Sequence, residues 1–181
     1  MPKVENGNFV GSTNKTKILI WTIEFLIIGL ILFLLPFSLI WSIEIPERNL
    51  LNMIIWMSLI SGGLVIHELL HGLGWVLAGD VRWKDLKFGI KLDKLVLFAH
   101  CGIPIRLSAT RFAYLLPGIV LGIIPAMIGL ISGITWLVFY GIIMFSGASA
   151  DFITVWKSKS ISGNPFVLDH PEEIGFKVMK D

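Results

Sequence analysis

Four long apolar runs constrain what this chain can fold into. The 181 residues have a mean hydropathy of +0.79, and only 15% of them are charged, whereas about 25% is usual for a soluble domain. A helix that crosses a bilayer needs about 20 mainly apolar residues. The runs that reach this length are residues 18–40, 50–78, 112–132 and 135–156. The sequence therefore predicts an α-helical membrane protein with about four transmembrane helices.

The segment between the second and third runs has a different pattern. Within residues 79–111, apolar and other residues alternate over Leu86–Leu92, which is the two-residue period of a strand. Leu95–Ala99 favours a second strand. Ile103–Leu107 favours a third strand at an edge, because it contains Pro104. We therefore expect a small antiparallel β segment here, with a turn at Asp93-Lys94.

The two ends of the chain carry weaker signals. Residues 1–16 are polar and predict a loose tail. Residues 158–181 begin with a Ser- and Gly-containing stretch and then contain two short apolar groups, which could dock on the β segment. The length and the absence of repeats predict one membrane-integral domain over residues 1–181.

Lysine and arginine lie unevenly around the apolar runs. All 15 of them except Arg48 fall in the N-terminal tail, in residues 79–111 or after the fourth run. The positive-inside rule then places both termini and the β segment in the cytoplasm. The net charge of +2 is too small to indicate a nucleic-acid partner.

A polar motif interrupts the second apolar run. His67-Glu68-Leu69-Leu70-His71 reads H-E-x-x-H, and residues four apart share one face of a helix, so both imidazoles can reach one metal ion. Glu68 follows the first histidine and can contact a water molecule on that metal. Ionisable side chains are unfavourable at membrane depth and are usually functional there. The motif therefore predicts a hydrolytic zinc site with His67 and His71 as ligands and Glu68 as the catalytic carboxylate.

A catalytic zinc ion needs a third protein ligand. At 1.5 Å per residue, His71 lies about 10 Å and Asp151 about 8 Å from the cytoplasmic ends of their runs. Asp151 is therefore the first candidate for the third ligand. Glu24, about 9 Å from the same face, competes with it as a ligand or as a hydrogen-bond partner of a ligating histidine. The other candidates are His100, Asp169, His170, Glu172 and Glu173.

Several further side chains could contact a substrate. His100-Cys101 follows the second predicted strand, so it could approach the site from the cytoplasmic side and stabilise an oxyanion. The same pair can also be an ordinary strand end. Arg106, Arg111 and Tyr114 are other donors that could stabilise a tetrahedral intermediate.

Five stretches, spread over most of the chain, together resemble a known group of proteins. A membrane-embedded H-E-x-x-H helix, an Asp on a later helix and a β segment between them are similar to the site-2 protease group of intramembrane metalloproteases. More closely, the chain resembles the small bacterial four-helix membrane proteins grouped as putative zincin peptidases. The stretches are His67–Gly72, Ala99-His100-Cys101 with Pro104, Leu116-Pro117-Gly118, the helix of Asp151, and Leu168-Asp169-His170-Pro171.

The resemblance implies a site as well as a fold. It implies one zinc ion per chain held by His67, His71 and Asp151, with Glu68 as the catalytic carboxylate. The site-2 proteases have an Asn-Pro motif several residues before the ligand Asp, whereas this chain has Phe145–Ala150 there. The resemblance to that group therefore does not extend to how a substrate is positioned.

The leading hypothesis is a membrane-integral zinc metallopeptidase whose site opens toward the cytoplasm. The metal would lower the pKa of a bound water molecule, and Glu68 would take its proton. The expected substrate is a membrane or membrane-associated protein with a locally extended segment, and residues 95–107 could offer it a strand edge. The lipid bilayer is the other expected partner, and the oligomeric state stays open.

Two other classes of function stay open. A non-enzymatic zinc-binding membrane protein, for instance one that acts in immunity to a bacterial toxin, would use the same ligands and bind partner proteins. In that case Glu24 or His100 would fill the water position. A metal transporter is disfavoured, because the chain has only four histidines, no His-rich loop and no inverted repeat.

Overall fold

Long helices and two small β-sheets make up the structure. The computed structural model describes residues 9–12, 14–45, 47, 49–91, 96–170 and 173–179. The helices are α1 (Lys15–Ile40), α2 (Leu50–Gly79), α3 (Leu107–Ser132), α4 (Thr135–Gly147) and α5 (Ser149–Ser158). The strands are β1 (Phe9–Ser12), β2 (Leu86–Lys91), β3 (Val96–Cys101), β4 (Ile105–Arg106), β5 (Phe166–Asp169) and β6 (Ile174–Val178).

The helices follow the apolar runs in order, and the first three runs are one helix each. Three of them, α1, α2 and α3, are each long and apolar enough to cross a membrane. The fourth predicted span, residues 135–156, is two helices instead of one, because α4 and α5 meet at a bend of 48°. Length and composition therefore support a membrane protein with three spans, or with four if the bent pair is one span.

The third helix begins earlier than the sequence predicts. Residues 107–111 are the first turn of α3 and not part of a β segment. The side-chain oxygen of Asn164 accepts a hydrogen bond of 2.8 Å from the backbone N–H of Ser108, which satisfies a donor that a helix start leaves open. This cap comes from a residue 56 positions away along the chain, so no local pattern could indicate it.

The predicted β segment is a hairpin followed by a separate short strand. Strands β2 and β3 pair antiparallel along their whole length, as expected, and their turn lies outside the described residues. Within the predicted third strand, Ile103–Leu107, only the two residues of β4 form a strand. They pair with β5 instead of the hairpin. Pro104 has no backbone N–H and therefore cannot continue a ladder from β3.

The second sheet joins both ends of the chain. Its strand order is β1-β6-β5-β4, and all of its pairs are antiparallel. The C-terminal tail therefore pairs with β4 and β1 and does not extend the hairpin sheet. The N-terminal tail is not uniformly loose as predicted, because Phe9–Ser12 pairs with β6. Residues 1–8 and 13 lie outside the described part of the chain.

Two glycines allow β1 and β6 to cross closely. Gly11 and Gly175 are paired across the two strands, with φ angles of +154° and +135°. A Cβ atom on Gly11 would collide with the carbonyl oxygen of Ile174, and one on Gly175 would collide with that of Val10. Only glycine adopts these angles readily and leaves this space.

Buried side chains form two clusters at opposite ends of the bundle. One lies between the helices and the sheets, and the other lies between α1, α3 and α4. Most other large apolar side chains of α1 and α2 are exposed, as expected for faces that meet lipid. The first cluster includes Trp75, Leu86, Cys101, Ile105, Ala113, Tyr114, Val167 and Phe176, and the second includes Phe33, Phe37, Ala126, Val138 and Ile142.

Helix α2 packs closely on α3 because glycine faces the contact. A Cβ atom added to Gly74 would lie 2.5 Å from the Cα atom of Ala113. Such a distance is far below van der Waals contact, so no other residue fits without moving a helix. Small residues allow this approach of two backbones within a membrane. Gly62 on the same helix has no atom within 4 Å of its hypothetical Cβ.

These two glycines offer a matched test of the packing. We expect Gly74→Ala to lower the free energy of unfolding by about 1–3 kcal/mol, since it overpacks the contact with α3. Gly62→Ala should leave stability unchanged or raise it by up to about 1 kcal/mol, because alanine favours a helix. Thermal unfolding of both variants in detergent measures the difference. Equal shifts would show that α2 and α3 do not pack as described.

Candidate metal centre

The H-E-x-x-H motif lies on one face of α2. His67 and His71 are one turn apart, and their ring centroids are separated by 4.9 Å. One ligand atom from each of His67, Glu68 and His71 lies within 4.8 Å of the other two. The helix therefore brings these three side chains together, as the spacing predicts.

Asp151 faces both histidines from the start of α5. Its Oδ2 atom lies 3.2 Å from Nε2 of His67 and 3.6 Å from Nε2 of His71. Two ligands at about 2.0–2.2 Å from a tetrahedral zinc ion are themselves about 3.4 Å apart. Both distances from the carboxylate oxygen are close to that separation, and the donor set of two imidazoles and a carboxylate fits zinc.

The bend between α4 and α5 places Asp151 there. The Ser146 hydroxyl donates a hydrogen bond of 2.7 Å to the carbonyl of Ile142, a contact that often bends helices. The backbone then leaves helical geometry at Ala148, where ψ is 5°. The hydroxyl of Ser149 contacts that of Thr22 at 3.2 Å, which fixes the start of α5 against α1. Asp151 follows within the first turn of α5.

The backbone of α3 fixes the ring of His71. Nδ1 of His71 lies 3.0 Å from the carbonyl oxygen of Ala113, and since a carbonyl can only accept, Nδ1 carries the hydrogen. The lone pair therefore lies on Nε2, which faces Asp151. Such a partner orients the ring of a ligating histidine and sets its tautomer.

A proline makes this carbonyl available. In a regular α-helix, the carbonyl of residue 113 accepts a hydrogen bond from the N–H of residue 117. Pro117 lies within α3 and has no N–H. The Ala113 carbonyl therefore lacks its usual helical donor and can accept from His71. The sequence predicts a kink at Pro117 and includes it in a stretch that resembles the family, but its effect on His71 becomes visible only once α2 and α3 are placed side by side.

The hairpin holds the third member of the motif. The backbone of Ala99 in β3 interacts with the Glu68 carboxylate. Phe88, which pairs with Ala99 across the hairpin, has its ring against Gly72, where a larger residue would collide with it. The hairpin thus lies directly on the motif helix, beside Glu68.

The net charge of the cluster favours a cation. With both imidazoles neutral and both carboxylates ionised, as metal ligation requires, the four side chains would carry a net charge of −2. The side chains of His67, His71 and Asp151 are only 9–12% exposed, so water offsets little of this charge. A divalent cation would neutralise it.

A second polar cluster adjoins the first and is centred on Asp169. This side chain is 6% exposed, and it accepts hydrogen bonds from His100 Nδ1 at 2.7 Å, the Tyr114 hydroxyl at 2.9 Å and the Cys101 backbone N–H at 3.4 Å. In the sequence, Asp169 is a reserve candidate for the third metal ligand and part of the stretch Leu168–Pro171 that resembles the family. The sequence marks His100, Cys101 and Tyr114 separately, but they are more than 50 residues from Asp169 along the chain, so it does not show that the four residues meet.

The other proposed site residues are placed elsewhere. Glu24 is exposed on α1 and is not part of the group of metal-binding side chains found in the described residues. Arg111 donates to the hydroxyl and the carbonyl of Ser158, and Arg106 donates to the carbonyl of Asn164. Nδ1 of His170 accepts a hydrogen bond from the Glu173 N–H, and Glu172 lies outside the described residues.

Cys101 has the properties of a packed thiol. It is fully buried, and burial raises the pKa of its thiol to about 11, with Asp169 and Asp85 adding to the effect. Metal ligation and nucleophilic attack need the thiolate, so neither role suits this side chain.

The region that contains the site matches a family model. The family described as "Putative zincin peptidase" matches residues 60–161, which is more than half of the 181 residues. The chain therefore belongs to this family, and the family resemblance seen in the sequence is confirmed. The matched region holds His67, Glu68, His71 and Asp151, and the name of the family implies zinc. No curated protein and no solved structure is significantly similar to the chain.

Pro117 provides a test of how His71 is held. We expect Pro117→Ala to weaken zinc binding about 10-fold, the lower end of the usual effect of losing such a partner. The new N–H would compete with His71 for the Ala113 carbonyl. Pro125→Ala, in the same helix, is the matched control and should leave zinc affinity unchanged. Competition with a fluorescent zinc chelator measures both constants, and equal affinities for the two variants would contradict this role of Pro117.

Proposed function

We propose that this chain is a zinc-dependent metallopeptidase that works within or beside the membrane. The observation that carries the proposal is the convergence of two Nε2 atoms and one carboxylate oxygen, from His67, His71 and Asp151, at the spacing of zinc ligands. Glu68 lies beside the two histidines, because one ligand atom of each of these three residues is within 4.8 Å of the other two. This arrangement of ligands and an adjacent carboxylate is the minimum that zinc-dependent hydrolysis requires.

In this proposal each residue of the site has one role. His67, His71 and Asp151 hold one zinc ion and leave a fourth position open. When bound, the zinc ion supplies a Lewis acid that lowers the pKa of a water molecule and polarises the peptide carbonyl. Ala113 orients His71, and the Ala99 backbone orients Glu68.

Glu68 moves the proton that hydrolysis requires. As the water oxygen bonds to the carbonyl carbon, the Glu68 carboxylate accepts a proton from that water. The same side chain then gives the proton to the amine nitrogen as the C–N bond breaks. The products are one carboxylate and one amine, and Glu68 returns to its starting form.

Strand β3 suggests how a substrate binds. Within the described residues, β3 pairs with β2 on one edge, and its other edge has no strand partner. The backbone of Ala99 in β3 interacts with Glu68. An extended peptide could add to β3 and lie across the site. Because a peptide bond inside a helix has no free backbone groups, we propose locally extended segments of membrane or membrane-associated proteins as substrates.

We further propose that the site faces the cytoplasm. The start of α1 carries Lys15 and Lys17, and the end of α5 carries Lys157 and Lys159. The connectivity puts these helix ends on the side of the two β-sheets, where most other basic residues of the chain also lie. The positive-inside rule assigns that side to the cytoplasm.

The non-enzymatic alternative needs a fourth protein ligand. Glu24 and His100 are the two residues that the sequence offers for it. Glu24 is exposed on α1, and Nδ1 of His100 is hydrogen-bonded to Asp169. The structure therefore supports a site with an open position better than a closed one.

Metal content is the first test of the site. We expect one zinc ion per chain in the detergent-purified protein after zinc is supplied, and less than about a tenth of that in His67→Ala and Asp151→Ala, because each removes one of three protein ligands. Elemental analysis measures the content, and Glu24→Gln is the control that should keep its zinc. Zinc that survives Asp151→Ala would assign the third ligand elsewhere, and a wild type without zinc would refute the metal centre.

Hydrolysis tests the role of Glu68. We expect Glu68→Gln to keep its zinc and to lose peptide hydrolysis by about 10²–10⁴-fold, since the amide cannot accept the proton. The probe is a mixture of denatured casein and single-span peptides in proteoliposomes that contain the purified protein, with new termini identified by mass spectrometry. Equal cleavage by the variant and the wild type would remove Glu68 from the mechanism.

A further inference from the structure

Two separate elements contact the motif of helix α2. Helix α3 contacts His71 through the carbonyl of Ala113, and strand β3 lies beside Glu68, where the backbone of Ala99 interacts with the carboxylate. Both contacts use backbone groups, so each depends on where the backbone of α3 or of β3 lies. A group that fixes these two backbones relative to each other therefore also fixes the surroundings of the motif.

Helix α3 departs from regular geometry close to Ala113. Pro117 has no N–H to give to the Ala113 carbonyl, and the N–H of Gly118 donates to the carbonyl of Leu115, three residues back. A π-helical segment, Gly118–Ile123, follows. In a regular α-helix each N–H donates four residues back, and helices bend where this ladder is interrupted. The part of α3 beside His71 therefore depends on contacts from outside the helix to fix its position.

The Asp169 side chain contacts both of these elements. Its Oδ1 atom accepts a hydrogen bond of 2.9 Å from the hydroxyl of Tyr114, the residue that follows Ala113 in α3. Its Oδ2 atom lies 2.7 Å from Nδ1 of His100 and 3.4 Å from the backbone nitrogen of Cys101, at the end of β3. One carboxyl group thus joins α3 to β3 within two residues of each contact with the motif.

Burial makes this connection difficult to replace with water. Asp169, Tyr114 and Cys101 are all buried, and the ring of Tyr114 lies 5.4 Å from the ring of His71. Without the carboxyl group, the Tyr114 hydroxyl and the Cys101 N–H would each lose a buried acceptor, which is unfavourable. Both elements would then shift toward other partners, and the shift of α3 would reach the carbonyl that binds His71.

We propose that Asp169 is a positioning residue that holds α3 and β3 together around the motif helix, an inference that rests on the function proposed above. Through Tyr114 it fixes the part of α3 that orients His71. Through the N–H of Cys101 it fixes the strand that lies beside Glu68. Asp169 itself binds neither the metal nor a substrate, so its effect on the metal centre passes through these two backbones. The C-terminal strand β5, which carries Asp169, is therefore a necessary part of the metal centre.

Metal binding by the full chain tests the proposal. We expect Asp169→Ala to weaken zinc binding about 10-fold, the lower end of the usual effect of losing an outer partner of a ligand. It should also shift the visible absorption bands of Co²⁺ bound in place of zinc, because these bands depend on ligand geometry. Tyr114→Phe removes only the hydroxyl and should weaken zinc binding by a similar factor. Competition with a fluorescent zinc chelator in detergent measures the affinities.

Three further variants separate positioning from a general loss of stability. Because Asp169→Ala and Tyr114→Phe break the same contact, combining them should weaken zinc binding by less than about twofold more than either alone. Asp169→Asn keeps an acceptor oxygen and should retain most of the affinity. Val167→Ala is the matched control, because Val167 is fully buried two residues earlier in β5. It should lower the unfolding temperature of the metal-free protein and leave the zinc affinity and the cobalt spectrum unchanged.

Each other outcome counts against one specific claim. Equal losses of zinc affinity in Val167→Ala and Asp169→Ala would show that Asp169 only stabilises the sheet. Unchanged affinity in Asp169→Ala, or additive losses in the double variant, would show that Asp169 does not act through Tyr114. Any of these results overturns the role of Asp169 and leaves the metallopeptidase proposal standing. A wild type that binds zinc without hydrolysing peptides would overturn that proposal instead, while the expected zinc affinities would still support the role of Asp169.

Discussion

The contact between α2 and α3 is the constraint on which the rest of the site depends. A histidine on a membrane helix has few polar neighbours that can fix its ring. Here the Ala113 carbonyl fixes the ring of His71 by accepting its hydrogen bond. It can do so because Gly74 lets the two backbones approach and Pro117 has no N–H that would bond to that carbonyl. One glycine and one proline, neither of which could bind a metal, thus set the tautomer of His71 and the direction of its free nitrogen.

The sheets extend this arrangement beyond the helices. Glu68 is held by β3, and β3 is held in turn by the Asp169 carboxylate, which also receives the hydroxyl of Tyr114 from α3. The carboxylate therefore ties the hairpin to the same helix that orients His71. Asp169 lies outside residues 60–161, which the family model matches. A residue beyond the matched region therefore helps to hold β3 beside the site.

What the sequence could predict was governed by local patterns. The apolar runs predict the helices, and the H-E-x-x-H spacing predicts that the motif side chains share one helix face. Counting residues from the ends of the apolar runs predicts that Asp151 lies at the same depth as His71. The bend before Asp151, the pairing of β4 with β5 and the strand at Phe9–Ser12 depend on partners far away in sequence. The Asp169 cluster was missed for the same reason, because a lone acid in a polar tail shows no sign of the donors that surround it in the fold.

The pairing of β1 with β6 has a consequence for how the protein is made. Synthesis proceeds from the N-terminus, so Phe9–Ser12 must wait for Ile174–Val178, which follows all of the membrane helices. Asp169 reaches the hairpin only at that late stage. Synthesis of the apolar helices and completion of the polar site are thereby separated in time, and a nascent chain whose apolar helices are already made still lacks the contacts that fix β3 over the motif. A polypeptide of this kind would acquire any hydrolytic capacity only after all of its apolar helices are in place.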